Sequence, residues 1–535
     1  MAKPRLPAPG SAAAGPTDPT TDEVYAYTSR LRLDPRRANP DGWRVDWQDG
    51  PWPVKVYTGG QRLRLRPGDA DPLGAALHRV LYGCFAISRV RSDPAGGVHA
   101  SPTDPRPHHG PEVLLRRPVP SGGAMYPTEV YTVLTGTDQV CHYDPYRHEL
   151  VRLAGGAAAR AVRDALGPPA GEPPAPALLV LTSRYWKNFY KYGDFSARLG
   201  SVDAGVALGR ALRLAGAEAG PARVLSAFDD AALGAALGLD GAEEGAYAVV
   251  TLGDPAVPSG FGPTVADAAP AVLERSRTVK RSAEFDALQR AVRTRPRSPR
   301  PASEGGHAGD AAVHPAGDPA EAFALPPPRA VDLLAPAVLA RRASRGRLFN
   351  GAEAAAGSLA TVLHHGTGAL RRLARACPDG LGARAVGTEL YCAVHRVRGV
   401  PAGWYRFLPD ACALLPVGAG PDEGCARQVH EALFAASFNA ELAAFTVHVV
   451  TALDWRRAGG PRAYREEQLA VGAAVEGLTL GASAEALSGH AVLGFDVARV
   501  DRAYGLDDSG SGTQAQVCVG ALRADPNWEI AVMPR

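Results

Sequence analysis

KYGDFSARLGSVDAGVALGRALRLAGAEAG (191–220) and AYREEQLAVGAAVEGLTLGASAEAL (463–487) read as two versions of one long helix rich in small residues, and the repeat they define decides the fold. Working outward, both are followed by a segment that opens on Phe-Asp: FDDAALGAALGLD (228–240) and FDVARVDRAYGLD (495–507). Each then reaches an apolar strand, AYAVVTLG (246–253) or QVCVGAL (516–522). Upstream, ALLVLTSRY (177–185) matches FTVHVVTALDW (445–455), and CHYDPYRHELVRL (141–153) matches GWYRFLPDACALLPV (403–417). Further upstream, AMYPTEVYTVL (124–134) matches GTELYCAVHRV (387–397). Agreement of several elements in the same order predicts an α+β protein of two tandem domains. Each would have a mostly antiparallel central sheet flanked by helices, and the two would pack as a pseudo-twofold pair within one chain.

Length supports this, since 535 residues are too many for one ordinary domain. The expected division is a disordered N-terminus (1–20), a small accessory segment (21–70), a first domain (71–255), a connecting segment (256–334) and a second domain (335–525). Residues 296–330, mostly Pro, Gly, Ala and charge, read as a flexible linker. WPVKVYTGGQRLRL (52–65) reads as a hairpin around Gly-Gly, and 88–115 as a loop.

Composition excludes several function classes. Apolar residues are 46% of the chain and the formal charge is only +3, so there is no electrostatic footprint for nucleic acid. No stretch has the length and apolarity of a membrane span, and the first residues lack a signal-peptide core, so a cytoplasmic protein is expected. Seven scattered cysteines without a CxxC spacing read as reduced thiols. His99, His108 and His109 match no metal spacing, and no metal is expected. There is no Walker sequence and no convincing G-x-G-x-x-G, which argues against nucleotide hydrolysis and a Rossmann site.

Three stretches could carry chemistry. RRPVPSGGAMYPTEVY (116–131) places Ser121, Gly122 and Gly123 in a loop before a strand. Glycines let backbone N–H groups approach a ligand, and Arg117 and Ser121 add donors; a plain surface turn would look the same. RRASRGRLF (341–349) sets Arg342, Ser344 and Arg345 before a helical segment, a pattern that suits a phosphate or a solvated helix start. YWKNFYKYGDFSARL (185–199) is aromatic and basic, and its adjacent Lys191 and Tyr192 could move a proton near a redox centre. The alternative there is an interface cluster of aromatics, with Asp194 and Arg198 as an i,i+4 pair.

The arginine–proline–serine–glycine–tyrosine-proline block, the Lys191-Tyr192 stretch before the Ala/Leu helix, and the FDDAALGAALGLD and YAVVTLG segments resemble the azoline dehydrogenases of the nitroreductase superfamily. RRASRGRLF is similar to that superfamily's opening motif, which holds the flavin phosphate and ribityl chain. The resemblance spans about residues 50–255 and 335–522. It implies FMN as cofactor, with Lys191 and Tyr192 as the catalytic pair. The implied reaction is oxidation of thiazolines or oxazolines in a ribosomally made precursor peptide to thiazoles or oxazoles, after a partner cyclodehydratase forms the rings. Single-domain members hold FMN between two subunits. Here the first half shows only LYGCFAISRVR (81–91) where the opening motif is sought. The second half shows RAVGTELY (384–391) for the serine–glycine loop and AYREEQ (463–468) for the catalytic segment. The implied arrangement is one complete site from Arg117, Ser121, Gly122, Gly123, Lys191 and Tyr192 of the first half with Arg342, Ser344 and Arg345 of the second, and one degenerate site. Another FMN oxidoreductase acting on a peptide-derived, quinone or nitro substrate, or a non-catalytic peptide-binding scaffold, are the other readings.

Overall fold

The computed structural model describes residues 20–35, 39, 43–68, 71–93, 99–101, 104–108, 112–167, 175–218, 220–253, 270–293, 319–335, 338–339, 348–435, 438–524 and 528–532. The first half builds one sheet from β1 (Arg62–Arg64), β2 (Thr128–Leu134), β3 (Gln139–Asp144), β4 (Glu149–Ala154), β5 (Ala177–Arg184), β6 (Val224–Leu225) and β7 (Glu244–Leu252). The second half builds another from β8 (Phe323–Ala324), β9 (Glu389–Val394), β10 (Gly403–Leu408), β11 (Ala413–Pro421), β12 (Phe445–Ala452), β13 (Ser488–Val492) and β14 (Ser511–Gly520). The spatial orders are β6-β7-β5-β2-β3-β4-β1 and β13-β14-β12-β9-β10-β11-β8, so the second sheet repeats the first strand for strand. All pairings in both are antiparallel. The bulge between Leu181 and Thr182 of β5 recurs between Val449 and Val450 of β12. The tandem α+β reading therefore holds, and register sharpens it: Thr128-Glu129-Val130-Tyr131 lies where Thr388-Glu389-Leu390-Tyr391 lies in the other sheet.

The helices are α1 (Thr21–Leu33), α2 (Pro72–Cys84), α3 (Gly156–Leu166), α4 (Tyr185–Tyr192), α5 (Ser196–Glu218), α6 (Asp230–Ala236), α7 (Ala283–Ala291), α8 (Ala356–Ala376), α9 (Gly380–Val386), α10 (Cys425–Glu431), α11 (Pro461–Ala484) and α12 (Val497–Tyr504). The long helices α2, α5, α11 and α8 pack side by side in that order, between the two sheets. The outer face of the first sheet is covered by α3 and α6, and that of the second by α10 and α12. Central strands are thus buried on both faces, which explains their nearly continuous apolar sequences. Val130 and Leu134 of β2 face the central core while Tyr131 and Val133 face outward under α3.

The two halves meet at a glycine crossing. A Cβ on Gly205 of α5 would overlap the backbone of Leu469, and one on Gly472 of α11 would overlap the carbonyl oxygen of Val202. In the aligned helices Gly205 corresponds to Gly472 and Val202 to Leu469, so the contact is reciprocal, as a twofold demands. The seam also holds buried ions: Glu476 of α11 accepts from Arg210 at 2.8 Å and lies 3.4 Å from Arg213, both on α5.

Several expectations are corrected. Strands 56–58 and 62–64 do not form a hairpin. Gly59 and Gly60, with φ of 72° and 79°, turn the chain so that 56–58 pairs with 271–273 while β1 joins the sheet edge beside β4. The span 88–115 is not simply a loop: Arg89–Asp93 pairs with Glu112–Arg116, and with Trp528–Ala531 from the end of the chain. The connecting segment carries structure at 271–273 and in α7, and β8 places Phe323 in the second sheet inside the span read as linker. Residues 1–19 and 294–318 lie outside the described residues, as does His109. All seven cysteines are free thiols.

Candidate functional site

The aromatic–basic stretch is α4, laid over the end of the sheet. Its Tyr185, Phe189 and Tyr190 are buried. Asn39 and the segment 43–55 pack around it: Trp43 packs on Phe189 with ring centroids 5.1 Å apart, Trp47 on Tyr190 at 5.9 Å, and Asn39 accepts the amide of Asp194 at 3.0 Å. Lys187 is buried, and its ammonium donates to the carbonyls of Trp52 and Pro53. Burial, with Arg184 and Arg117 close by, holds its pKa well below the usual lysine value. The interface-cluster reading therefore describes Tyr185 to Tyr190. Lys191 and Tyr192, in the last turn, stay half-exposed, and the Lys191 ammonium stands over the Trp47 ring, 5.7 Å from its centroid. Asp194 and Arg198 are not a helical pair. Asp194 accepts from Tyr27 at 2.7 Å, while Arg198 donates to the Gln514 carbonyl of the second half.

The serine–glycine loop meets this turn. A Cβ on Gly123 would fall on the Tyr192 hydroxyl and 2.8 Å from Lys191 Nζ, so only glycine leaves both groups their place. Gly123 is left-handed at φ 57°, and so are Ala124 (57°) and Tyr126 (51°). For the latter two the conformation costs about 1–2 kcal/mol each. The hydrogen bonds that hold it run through Asp203 of α5. Its carboxylate accepts from the Ser121 hydroxyl at 2.6 Å and from the Gly122 amide at 3.1 Å, while Ser121 Oγ accepts the Tyr126 amide at 2.9 Å. Gly122 in turn rests on Leu199, where a Cβ would sit 2.6 Å from the leucine methyls. Burial raises the Asp203 pKa to about 6, with Ser121, Gly122 and Asn188 pulling the other way.

Ser121, Gly122, Gly123, Lys191 and Tyr192 are thus brought together. Arg117 lies beneath the loop. It is buried, it donates to the Thr128 carbonyl at 3.0 Å, its guanidinium lies 5.4 Å from the centre of the Tyr126 ring, and its Nη2 has no partner. Arg342, Ser344 and Arg345 lie outside the described residues. Asp203 and Trp47 were not singled out by the sequence. For Asp203 a signal existed, because the aligned repeat puts Ala470 opposite it. The described residues fit a planar redox ring: a glycine loop with no room for a side chain, a buried guanidinium with one nitrogen left over, and two half-exposed polar groups at its edge.

The pseudo-symmetric place shows where three sequence correspondences need correction. In the other half the residue aligned with Leu199 is Glu466, and a Cβ on Gly380 would meet the Glu466 carboxylate as one on Gly122 meets Leu199. The counterpart of Pro120-Ser121-Gly122 is therefore Pro378-Asp379-Gly380, and RAVGTELY is mostly helix α9 and strand β9. AYREEQ lies in the first turns of α11, opposite 196–201, so Ala458 and Gly459 stand where Lys191 and Tyr192 stand. LYGCFAISRVR belongs to the end of α2 and the strand after it. The counterpart of RRASRGRLF would precede α2, where only residues 65–71 separate β1 from the helix. Buried charge fills the second place: Ser226 donates to Asp379 and Glu466, and Arg462 and Arg465 both pair with Asp230. Burial raises the Glu466 pKa to about 7.

The fold is that of a doubled nitroreductase-like α+β protein, and the serine–glycine loop meets Lys191 and Tyr192 in its first half. Residues 341–521, in the second half, match the model of the nitroreductase family. Among solved structures, a protein of Anabaena variabilis assigned as a nitroreductase is similar over 94% of this chain and 99% of its own, with a TM-score of 0.70 and 19% identity. That likeness is one of fold, and it extends across both halves. Two others have lower scores. A protein of Ralstonia eutropha assigned as a nitroreductase covers 40% of this chain and 95% of its own, at 16% identity and TM-score 0.29. A chain of the E. coli microcin synthetase McbBCD complex with truncated pro-MccB17 bound covers 46% and 84%, at 17% identity and TM-score 0.27. No curated protein matches the chain in sequence. Among the described residues no helix is long and apolar enough to cross a membrane.

Proposed function

We propose that the chain is an FMN-dependent azoline dehydrogenase that oxidises thiazolines or oxazolines of a precursor peptide to thiazoles or oxazoles. The observation that carries this reading is the meeting of Lys191 and Tyr192 at Gly123, in the half that keeps the serine–glycine loop. FMN, when bound, accepts the hydride that leaves one ring carbon. Arg342, Ser344 and Arg345 would hold its phosphate end, with Arg117, Gly122 and Gly123 on the loop side. Ser121, committed to Asp203 and Tyr126, acts by shaping the loop. Lys191 and Tyr192 are assigned to the proton lost from the adjacent ring carbon, one taking it and the other orienting the ring. A peptide carrying a ring formed by a cyclodehydratase enters from the side where these two groups are half-exposed.

Mass spectrometry on a cyclised thiazoline peptide tests the assignment. Each ring should lose about two mass units, and Lys191→Ala and Tyr192→Ala should each lower the rate at least ~100-fold while the protein stays yellow. Unchanged rings with rapid reduction of a quinone would instead support a different FMN oxidoreductase. Failure to bind flavin at all would leave a peptide-binding scaffold.

A further inference from the structure

Away from the loop, the C-terminal part of α5 and the outer face of α8 enclose an open groove of about 840 Å³, walled on one side by residues 331–334. His364, Gly368, Arg371 and Arg375 recur along α8 at the spacing of one helix face, with His365 and Arg372 beside them. Arg213 of α5 closes the groove from the other side. It is 8% exposed, is held by Glu476, and its Nε has no partner. Asp332 is the one acidic residue among the described lining residues. Gly216 and Gly368 form open floor, with no atom within 4 Å of where a Cβ would stand. His365 carries no charge near neutrality, because burial and the nearby Arg213 lower its pKa to about 4. The arginines supply the positive field, and the exposed Asp410 that pairs with Arg371 occupies the position a peptide carboxylate would take.

We infer that this groove is a docking site for an acidic segment of extended peptide. The charged stripe from His364 to Arg375 runs roughly 16 Å along the helix, which a single phosphate cannot span but about five residues of extended chain do. Arg371 and Arg375 lie about 6 Å apart along the axis, close to the separation of alternate side chains on one face of an extended chain. Carboxylates at alternate positions would meet the arginines, and small intervening residues would meet Leu212, Ala217 and Leu334. The site lies about 15 Å along α5 from Asp203, ten residues away, so a peptide held here is tethered apart from the loop and the two do not compete.

The test needs no turnover and is independent of the flavin reading. A fluorescein-labelled ten-residue peptide alternating Glu and Ala is titrated with the full-length protein and followed by anisotropy. A Gln-Ala peptide serves as control, and pyrophosphate as competitor. The Glu-Ala peptide should bind at least tenfold more tightly than the control, with an affinity that falls as salt rises. The double variant Arg371→Ala/Arg375→Ala should weaken it at least tenfold. Both arginines are exposed and neither pairs with Glu476, and His364→Glu independently adds a negative charge that should also weaken binding. Equal binding of the two peptides, indifference to both sets of variants, or full displacement by pyrophosphate at the peptide's own concentration would each overturn the assignment, the last in favour of a small-anion site.

Discussion

Asp203 shows how one side chain sets the loop. Its carboxylate has two donors, Ser121 and Gly122, and these hold a backbone that carries two non-glycine residues in the left-handed region. The same burial raises its pKa from near 4 to about 6. For an acid raised in this way, the folded state binds the proton more tightly than the unfolded state. The resulting stabilisation is full below pH about 4 and is lost as pH rises through about 6. Two units correspond to about 3 kcal/mol. Asp203→Asn removes the titration while keeping the shape. Wild type should therefore lose stability relative to the variant between pH 4 and pH 7 by an amount approaching ~3 kcal/mol, read from urea unfolding at both pH values. A difference that stays constant with pH would mean that Asp203 keeps an ordinary pKa. In the sequence Asp203 is marked only by the Ala470 opposite it in the repeat, and its role stays hidden until its partner, 82 positions away in the chain, is known. Lys191 and Tyr192 were legible because they are adjacent and sit in a stretch of unusual composition.

Helices α5 and α11 are the elements on which the molecule turns. Buried over residues 196–215 and 462–483, they are rich in small and aliphatic residues, and the likeness of their sequences follows from a shared environment. That is why the repeat was visible. What could not be read was register: strings matched by composition drift by several residues, whereas the glycine crossing and the shared bulge fix the alignment. The packing of 43–55 around α4 was invisible for a related reason, since it depends on pairs such as Trp43 with Phe189 that are distant in the chain. The crossing makes a quantitative prediction. Gly205→Ala and Gly472→Ala each force the helices apart and should cost about 2–3 kcal/mol. Because both clashes are relieved by one displacement, the double variant should cost clearly less than the sum. Additive losses in denaturant midpoints would mean that the two contacts are independent and that the halves do not share one crossing.

At the scale of the whole chain, duplication has produced two pseudo-equivalent places lined by different residues. The equipped place has Leu199 beneath a glycine loop, Ser121 tied to Asp203, and Lys191 and Tyr192 at the edge. The other has Glu466 and Asp379 at the matching positions, a buried cluster of Arg462, Arg465 and Asp230, and no lysine–tyrosine pair. A carboxylate facing the loop repels an anionic cofactor, and Glu466 cannot leave without stranding a hydrogen-bonded, buried group. Between β1 and α2 the first half has only residues 65–71, and they carry no arginine–serine–arginine motif. A single-domain homodimer has two equivalent sites by symmetry; under the proposed function the second half serves the first site instead of building its own. The expected stoichiometry is one FMN per chain, measured as flavin released by denaturation against protein from amino-acid analysis. Arg342→Ala should empty that one class of site, leaving no residual half-occupancy, whereas Lys191→Ala should leave it filled. Two flavins per chain, or a variant at Arg342 that retains one of two, would show that the second place still binds and that the buried charge there has another purpose.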